Sequence, residues 1–226
     1  MPVYSVSWDH HEAVAHLSAA DKKLAALIER VGPDRQITVR HDHSIFESLF
    51  RAIIYQQLAG KAAAAILNRV LATFGDHGYP SPQQFIDTPE AVLRSAGLSQ
   101  NKMLALKDLA AKALDGTVPS KQKVRFLSDE ELVSRLTTIR GIGVWTVEML
   151  LIFGLGRPDV LPVTDYGVRQ GYALAYKKPE LPAPKQLMKT GEVWRPYRSV
   201  ASWYFWRAVE LSRLTPPAAS KDGRAK

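Results

Sequence analysis

The sequence predicts a mainly α-helical fold, and two features of its 226 residues carry that prediction. Apolar side chains recur at three- and four-residue steps along most of the chain, which is the spacing of one helix face. Capping residues and prolines stand at the starts of these periodic segments, where helices typically begin. Only residues 37–40 alternate as a strand does, and they have no evident partner, so this segment is either a short strand or a loop.

Three helical segments are predicted in the first third of the chain. The first periodic segment spans residues 14–31, with Asp21 in its middle as a candidate cap. Ser44 and Glu47 form a capping-box pattern that opens a second helix. A break at residues 59–60 separates this helix from the third segment, which is also amphipathic.

The remaining helices are predicted from caps and terminators. Gly75 favours a helix end, and Ser81-Pro82 and Thr88-Pro89 each pair a capping residue with proline at the first helical position. Two short helices therefore follow Ser81 and Thr88. Further helices are predicted at residues 128–138, at residues 144–153, after Thr164, and at residues 196–214.

Composition excludes several classes of protein. Thirty Lys and Arg against 22 Asp and Glu give a net charge of +8, which favours a polyanionic partner. The absence of cysteine excludes disulfides, thiolate metal sites, cysteine-held iron–sulfur clusters and cysteine nucleophiles. The longest apolar run, residues 149–155, is far shorter than the roughly 20 residues of a membrane span. Because no secretory signal is visible either, we expect a soluble cytoplasmic protein with no membrane partner, nucleoid-associated if bacterial.

Residues 136–146 form the most informative stretch. One amphipathic helix ends, Gly141 and Gly143 flank a single apolar residue in a tight turn, and another helix begins at once. The backbone amides at the start of the second helix suit an anionic oxygen such as a phosphate. Ile139 and Ile142 are suited to hold the two helices together from inside. An ordinary helical corner with a glycine-rich turn is the alternative.

Asp165 follows a loop rich in glycine and proline, at the predicted start of a helix. On spacing alone, an aspartate in this place is a helix cap. The hairpin pattern L-x-x-I-x-G-I-G-x-x-T together with this loop and this aspartate, however, resembles the helix-hairpin-helix DNA glycosylase superfamily. The resemblance extends over about residues 46–207 and is greatest to the 3-methyladenine glycosylase II branch.

The resemblance implies a two-lobed, all-helical fold with the DNA cleft and base pocket between the lobes. We expect an N-terminal segment, residues 1–45, that packs on the C-terminal lobe, and a helical lobe, residues 46–156, with the hairpin at 136–150. The aspartate loop and the C-terminal helices, residues 157–214, complete the second lobe, and residues 215–226 form a disordered tail. An additional N-terminal β-rich domain of larger family members is expected to be absent or reduced to a fragment, because only about 40 residues precede the helical core.

The resemblance also implies a reaction. Asp165 would be the catalytic carboxylate that stabilises the positively charged sugar while the N-glycosidic bond of an everted alkylated base is hydrolysed. The expected substrates are 3-methyladenine and 7-methylguanine in double-stranded DNA, acted on by a monomer. Bifunctional members have a lysine where this chain has Trp145, so we expect no strand-cleaving lyase step. A non-catalytic DNA-structure-binding protein is the alternative, and a glycosylase for oxidised or mismatched bases is a weaker one.

Further site residues follow from the same resemblance. The base pocket would contain Trp145, Met149, Tyr166 and Trp206. Met149 stands where another family member has a pocket tyrosine. DNA-binding positions of the hairpin would be Arg140, Gly141, Ile142, Gly143, Val144 and Thr146. Gln57 or Leu58 would fill the gap left by the everted base, and a helix end in the core is the alternative for Leu58. No cofactor is required, but the carbonyls of Thr137, Ile139 and Ile142 would suit a structural Na⁺ or K⁺ ion.

Other polar and aromatic groups have two interpretations. Six aromatic residues lie within residues 194–206, and their spacing favours core packing for Tyr204 and Phe205, although rings among arginines also suit a flipped base. Lys61 and the basic residues at 121–125 are candidates for phosphate contacts, and the latter are equally typical of a solvated loop. The paired histidines lack a metal-ligand spacing and are predicted to lie at the surface; these are His10, His11, His41 and His43.

Overall fold

The computed structural model describes residues 8–40, 43–75 and 78–214, and these residues form helices and no strand, which confirms the predicted fold class. The α-helices are α1 (His10–Ala20), α2 (Lys22–Val31), α3 (Ile45–Tyr55), α4 (Gly60–Ala72), α5 (Pro82–Asp87), α6 (Glu90–Ser95), α7 (Gln100–Leu114), α8 (Lys121–Val124), α9 (Asp129–Leu136), α10 (Val144–Met149), α11 (Tyr166–Tyr176), α12 (Pro184–Thr190) and α13 (Arg198–Leu214). A π-helical segment, Leu150–Gly154, continues α10, and a 3₁₀ segment, Gly191–Trp194, follows α12. No helix among the described residues is long and apolar enough to cross a membrane.

The chain divides into two compact units. Among the described residues, the first unit contains 38–40, 43–75 and 78–157, and the second contains 8–37 and 158–214. Residues 38–40 and 43–45, which the predicted division assigns to the N-terminal segment, lie in the first unit. The segment that alternates like a strand is a loop, in which the Arg40 N–H donates to the Phe153 carbonyl at 2.7 Å. The predicted tail, residues 215–226, lies outside the described residues.

Side-chain caps fix several of the predicted helix starts. Capping boxes are present at Ser44, Ser81 and Ser128, each with its partner three residues later, as in the Ser44–Glu47 pair. The prediction for Thr88 is wrong, because α6 begins at Glu90 without a side-chain cap. The Thr88 hydroxyl instead donates to the carbonyl of Gln84 in the preceding helix at 2.7 Å. Thr88 thus stands at the C-terminal end of α5 rather than at the start of α6.

The core of the first unit forms around α3, which packs against α4 and α7, while α5 also packs on α7. The apolar side of α3 is almost completely buried and consists of Ile45, Phe46, Leu49, Phe50, Ile53 and Ile54. Phe50 meets the ring of Phe85 edge-on, with centroids 5.2 Å apart. Each such side chain contributes roughly 1.5–3 kcal/mol on burial. Helix α7 thereby becomes a rigid support beside the C-terminal end of α3.

The second unit is organised by close packing of α11 on α13, with α1 and α2 also against α13. Tyr204 and Phe205 are fully buried, which confirms that they belong to the core. His10 was expected at the surface, but it is only 7% exposed. Its Nε2 lies 2.8 Å from the carbonyl of Pro33. Its imidazole is therefore held inside by a partner 23 residues away, which no local pattern reveals. His11 is exposed, His43 is half-buried, and His41 lies outside the described residues.

Asp21 joins two parts of the second unit through its carboxylate. Oδ1 accepts the N–H groups of Lys23 and Leu24 and so caps α2, as predicted. Oδ2 accepts the hydroxyl of Tyr176 and the indole N–H of Trp194, the latter at 2.9 Å. Burial alone would raise the pKa of this carboxyl, but the hydrogen bonds from Tyr176 and Trp194 outweigh burial and lower the pKa below its ordinary value.

Replacing Asp21 with asparagine is expected to lower the free energy of unfolding at pH 7 by about 1–3 kcal/mol, because the buried ring donors lose a charged acceptor. The folded pKa lies below the unfolded value of about 4, so the carboxylate stabilises the fold above that pH. The contribution of the carboxylate to stability disappears as the pH falls through its pKa in the folded state. Urea denaturation at pH 7 and pH 3 measures the difference, which should be smaller at pH 3. Asp9→Asn, at the cap of α1, should have little effect.

Candidate functional site

The hairpin between α9 and α10 is built around one tight turn. The Ile142 N–H donates to the Ile139 carbonyl at 3.0 Å, and Gly141 has a φ of +79°. A positive φ at the third position is what a type II turn requires, and glycine adopts it without strain. Ile139 and Ile142 are 1% and 4% exposed, so both side chains anchor the turn in the first unit. The hairpin turn, residues 137–143, is therefore held in place by buried side chains.

The outer face of the hairpin is open. Arg140, Gly143 and Val144 are exposed, and Thr146 is half-buried. Gly143 precedes α10 without any side-chain cap, and a Cβ added there would meet no atom within 4 Å. The backbone at the start of α10 can therefore be approached closely by a ligand. Helix α10 continues without interruption through the π-helical segment to Gly154.

Two side chains of helix α7 bind the backbone of this turn. The Asp108 Oδ2 accepts the backbone N–H of Arg140 and the Lys112 ammonium, both at 2.7 Å. The Lys112 ammonium also donates to the Thr138 carbonyl at 2.7 Å. Burial opposes ionisation of Asp108, but the hydrogen bonds from Lys112 and Arg140 outweigh it and lower the pKa of the carboxyl. A charged pair thus fixes the hairpin backbone on both sides of Ile139.

The loop between α3 and α4, residues 56–59, is called the wedge loop here. Gln57 is exposed and has a φ of +58°, and Leu58 is 38% exposed, so Leu58 does not end a helix in the core. A positive φ is uncommon outside glycine and costs of the order of 1 kcal/mol. The Gln56 amide Nε2 donates to the Gly141 carbonyl at 2.8 Å, which joins the wedge loop to the hairpin turn. The Lys102 ammonium donates to the carbonyls of Ile54 and Gln56 at 2.5 and 2.9 Å.

A cavity of about 470 Å³ lies in the first unit beside these two loops. It is lined by residues from the end of α3, the wedge loop, the start of α7 and the hairpin: Ile53, Gln56, Gln57, Ser99, Asn101, Lys102, Ala105, Arg140 and Gly141. Most of these side chains carry hydrogen-bonding groups. Burial lowers the pKa of the Lys102 amine below its ordinary value. The wedge loop and the hairpin thus both contribute residues to this cavity.

Asp165 occupies the N-cap position of α11 in the second unit. Its Oδ1 accepts the N–H of Val168 at 2.7 Å and the indole N–H of Trp206 at 2.8 Å. These two donors fix the orientation of the carboxylate, and the start of a helix favours its negative charge. Gly167 makes room for the indole, because a Cβ there would lie 2.7 Å from the Trp206 Cδ1. Sequence and structure thus agree on the cap, and the structure brings Trp206 to the carboxylate.

The other predicted site residues are distributed over both units. Trp145 is 51% exposed and Met149 is half-buried, and both lie in the first unit. Tyr166, at the start of α11 in the second unit, is 63% exposed. The candidate phosphate contacts Lys61, Lys123 and Arg125 are exposed side chains.

The described residues contain no group of three or more acidic or histidine side chains suited to a metal ion. The carbonyls proposed for a monovalent cation, those of Thr137, Ile139 and Ile142, belong to the hairpin turn. The Ile139 carbonyl already accepts the Ile142 N–H, which leaves its second lone pair for an ion. Neutral carbonyl oxygens are suited to a hard monovalent cation, so the donor set fits such an ion.

Several residues that shape these loops are not among those predicted from sequence. Gln56, Lys102, Asp108 and Lys112 reach partners 26 to 85 residues away, and no local pattern predicts these contacts. Ser99, the cap that opens α7, was an available signal for the helix itself. The contacts that the side chains of α7 make with the two loops depend on tertiary structure.

The comparisons with known proteins agree with this geometry. A family described as "HhH-GPD superfamily base excision DNA repair protein" matches residues 50–196. DNA-3-methyladenine glycosylase 1 of Schizosaccharomyces pombe is 38% identical over 210 residues, which are 93% of this chain and 92% of the relative. The match thus extends over nearly all of both proteins.

Solved structures give the same result. The 3-methyladenine DNA glycosylase of Schizosaccharomyces pombe in complex with abasic DNA has a TM-score of 0.75 and 38% identity over 91% of this chain and 100% of that chain. A DNA-3-methyladenine glycosidase from Bacillus halodurans has a TM-score of 0.82 and 32% identity over 93% and 94%. The family resemblance noted in residues 46–207 is confirmed. The chain belongs to the HhH-GPD superfamily of base excision DNA repair proteins.

Proposed function

We propose that the protein is a monofunctional DNA glycosylase that acts as a monomer on double-stranded DNA. It removes 3-methyladenine and 7-methylguanine and leaves an abasic site. The observation that carries the proposal is the Asp165 carboxylate, oriented by Trp206 and Val168 at the start of α11. Relatives named as 3-methyladenine glycosylases over almost the whole chain support the choice of substrate.

The chemistry follows from the charge of the substrate. An N-alkylated purine is already cationic, so the bond between its nitrogen and the sugar C1′ breaks with the electron pair leaving on the base. The sugar becomes positively charged, and the Asp165 carboxylate stabilises that charge. A water oxygen then bonds to C1′, and its proton passes to Asp165 or to solvent. No strong general acid is required, because the base departs as a neutral molecule.

Aromatic rings supply the base-binding surface in this proposal. An electron-deficient alkylated purine stacks favourably on an indole, and Trp145 offers a half-exposed ring for that purpose. Trp206 has a second role, because its N–H orients Asp165 while its ring is also assigned to base binding. Met149 and Tyr166 carry the same assignment and influence which bases are accepted.

The hairpin and wedge loop bind the DNA backbone and hold the duplex open. The amides at the start of α10 bind a phosphate, assisted by Arg140 and by a Na⁺ or K⁺ ion on the turn carbonyls. Gln57 or Leu58 occupies the space left by the everted base, and the positive φ of Gln57 supports this role because backbone strain clusters at functional sites. Intercalation costs a few kcal/mol, which contacts to the bent DNA offset.

The monofunctional assignment rests on Trp145, which occupies the position of the lysine in bifunctional members. An indole nitrogen cannot form a Schiff base with the sugar, so no lyase step follows. Borohydride should therefore trap no covalent complex between the protein and abasic DNA. A trapped complex would overturn this part of the proposal.

The decisive experiment measures bases released from dimethyl-sulfate-treated duplex DNA by chromatography, with a buffer blank for spontaneous loss. We expect 3-methyladenine and 7-methylguanine in excess of the blank. If the protein binds abasic DNA but releases no base, the enzymatic proposal is wrong and a non-catalytic DNA-binding role takes its place.

Gly143→Ala is expected to weaken duplex binding about tenfold and leave folding unchanged. The added methyl meets no protein atom within 4 Å, so the free energy of unfolding should change by less than about 0.5 kcal/mol. A phosphate bound at the start of α10 would, however, be pushed outwards. Fluorescence anisotropy with a labelled abasic duplex and urea denaturation measure the two quantities. Unchanged affinity would mean that the DNA backbone does not approach this glycine.

A further inference from the structure

Helix α7 contacts the backbone of both loops that the proposed function assigns to DNA. At its first turn, the Lys102 ammonium binds the carbonyls of Ile54 and Gln56, one on each side of the end of α3. About two and three turns later, Asp108 and Lys112 bind the backbone of the hairpin turn. One rigid helix of 15 residues therefore fixes the separation between the wedge loop and the hairpin.

The contacts of Lys102 fall where the wedge loop begins. A helix leaves its last carbonyls without partners, and a lysine is well suited to bind them because of their partial negative charge. Gln56 provides one of these carbonyls, and the next residue, Gln57, has the positive φ. The Gln56 side chain simultaneously donates to Gly141. Lys102 thus holds the residue from which the wedge loop departs, on the same side as the hairpin.

We infer that Lys102 is a positioning residue for base eversion: by binding the carbonyls of Ile54 and Gln56, it presents Gln57 and Leu58 for insertion into duplex DNA. This inference rests on the proposed function. Lys102 does not touch the reacting atoms, which belong to the substrate at Asp165. Its contribution is to keep the wedge loop preorganised, so that DNA binding need not order the loop.

A positioning role of this kind has a consequence that general structural support lacks. The wedge loop is needed only where a base must be extracted from a stack of paired neighbours. A single strand has no partner strand to separate, so its bases reach the pocket without the wedge. Loss of Lys102 should therefore slow release from duplex DNA and have little effect on release from a single strand.

The test compares Lys102→Met with wild type under single-turnover conditions. One methylated oligonucleotide is used alone or annealed to its complement, and released 3-methyladenine is measured by chromatography. Methionine retains the length of the side chain and removes the donors. We expect the duplex rate to fall about tenfold and the single-strand rate to change less than about twofold. Lys102→Arg retains a cationic donor and should restore much of the duplex rate.

A second measurement is independent of base release. A duplex with 2-aminopurine beside an abasic analogue becomes more fluorescent when a wedge unstacks the neighbouring base. Wild type should produce this increase on saturating binding, and Lys102→Met should produce a smaller one. Lys107→Met is the matched control, because Lys107 lies on the same helix and pairs with Glu90 away from both loops. It should behave as wild type in both measurements.

The possible outcomes separate the two proposals. If wild type releases base from neither substrate, the proposed function fails. If wild type is active and Lys102→Met loses duplex and single-strand activity equally, Lys102 has a structural role only and the inference is wrong. An unchanged duplex rate with an unchanged fluorescence increase also overturns it. If wild type acts on duplex DNA alone, the inference stands or fails on whether Lys102→Met gives a smaller 2-aminopurine fluorescence increase than wild type.

Discussion

Asp165→Asn is expected to reduce base release from methylated duplex DNA by about 10²- to 10³-fold, the range found when one electrostatic stabiliser is removed. The change replaces a negative oxygen by a neutral amide at the sugar and alters little else. Asparagine is as good an N-cap as aspartate, and its amide oxygen still accepts the N–H groups of Val168 and Trp206. The free energy of unfolding and the affinity for an abasic duplex should therefore stay close to those of wild type.

Single-turnover release of 3-methyladenine measures this effect, with urea denaturation and anisotropy as companions. Asp9→Asn provides a matched control, because Asp9 caps α1 by accepting the Glu12 N–H and has the same local role. The control should retain full activity. If Asp165→Asn released bases at the wild-type rate, Asp165 would be a structural cap and the catalytic carboxylate would have to be sought elsewhere.

Local sequence signals predicted much of the fold. The capping boxes at Ser44 and Ser128 fixed two helix starts because they satisfy backbone donors within four residues. Helix α7 is not among the predicted helices, although Met103, Leu106 and Ala110 recur at helical spacing and are buried. The π-helical turn was also not predicted. Its hydrogen bond from the Leu155 N–H to the Leu150 carbonyl spans one residue more than in an α-helix, and apolar periodicity does not distinguish the two.

In the candidate site, too, local features were predicted from the sequence, whereas long-range contacts were not. Gly141 and Gly143 were predicted because a tight turn requires particular residues at fixed spacing, and the positive φ of Gly141 is a local property. The contact between Trp206 and Asp165 spans 41 residues and depends on how α13 packs against α11. Lys102 is a similar case, since a lysine in a helical segment has no sequence feature that distinguishes a buried contact from a solvated one. Family resemblance predicted Asp165, and tertiary structure identified what orients it.

The packing of α11 on α13 leads to the largest expected effect on stability. Gly171 lies where the two helices touch, and a Cβ added there would be 1.9 Å from the Phe205 carbonyl oxygen and 2.7 Å from the Phe205 Cα. These are backbone atoms of a buried helix, so no side-chain rotation can relieve the overlap. Gly171→Ala must separate α11 from α13, and it should lower the free energy of unfolding by about 3 kcal/mol or more.

Separation of these helices should also disturb the proposed catalytic carboxylate, because α11 begins beside Asp165 and α13 carries Trp206. Urea denaturation at pH 7 measures the loss of stability, and base release below the midpoint measures the loss of activity. Gly60→Ala is the control for stability, since a Cβ there meets no atom within 4 Å, and it should be neutral or slightly stabilising. If Gly171→Ala were as stable as wild type, the two helices would not be in backbone contact, and the orientation of Asp165 by Trp206 would lose its structural basis.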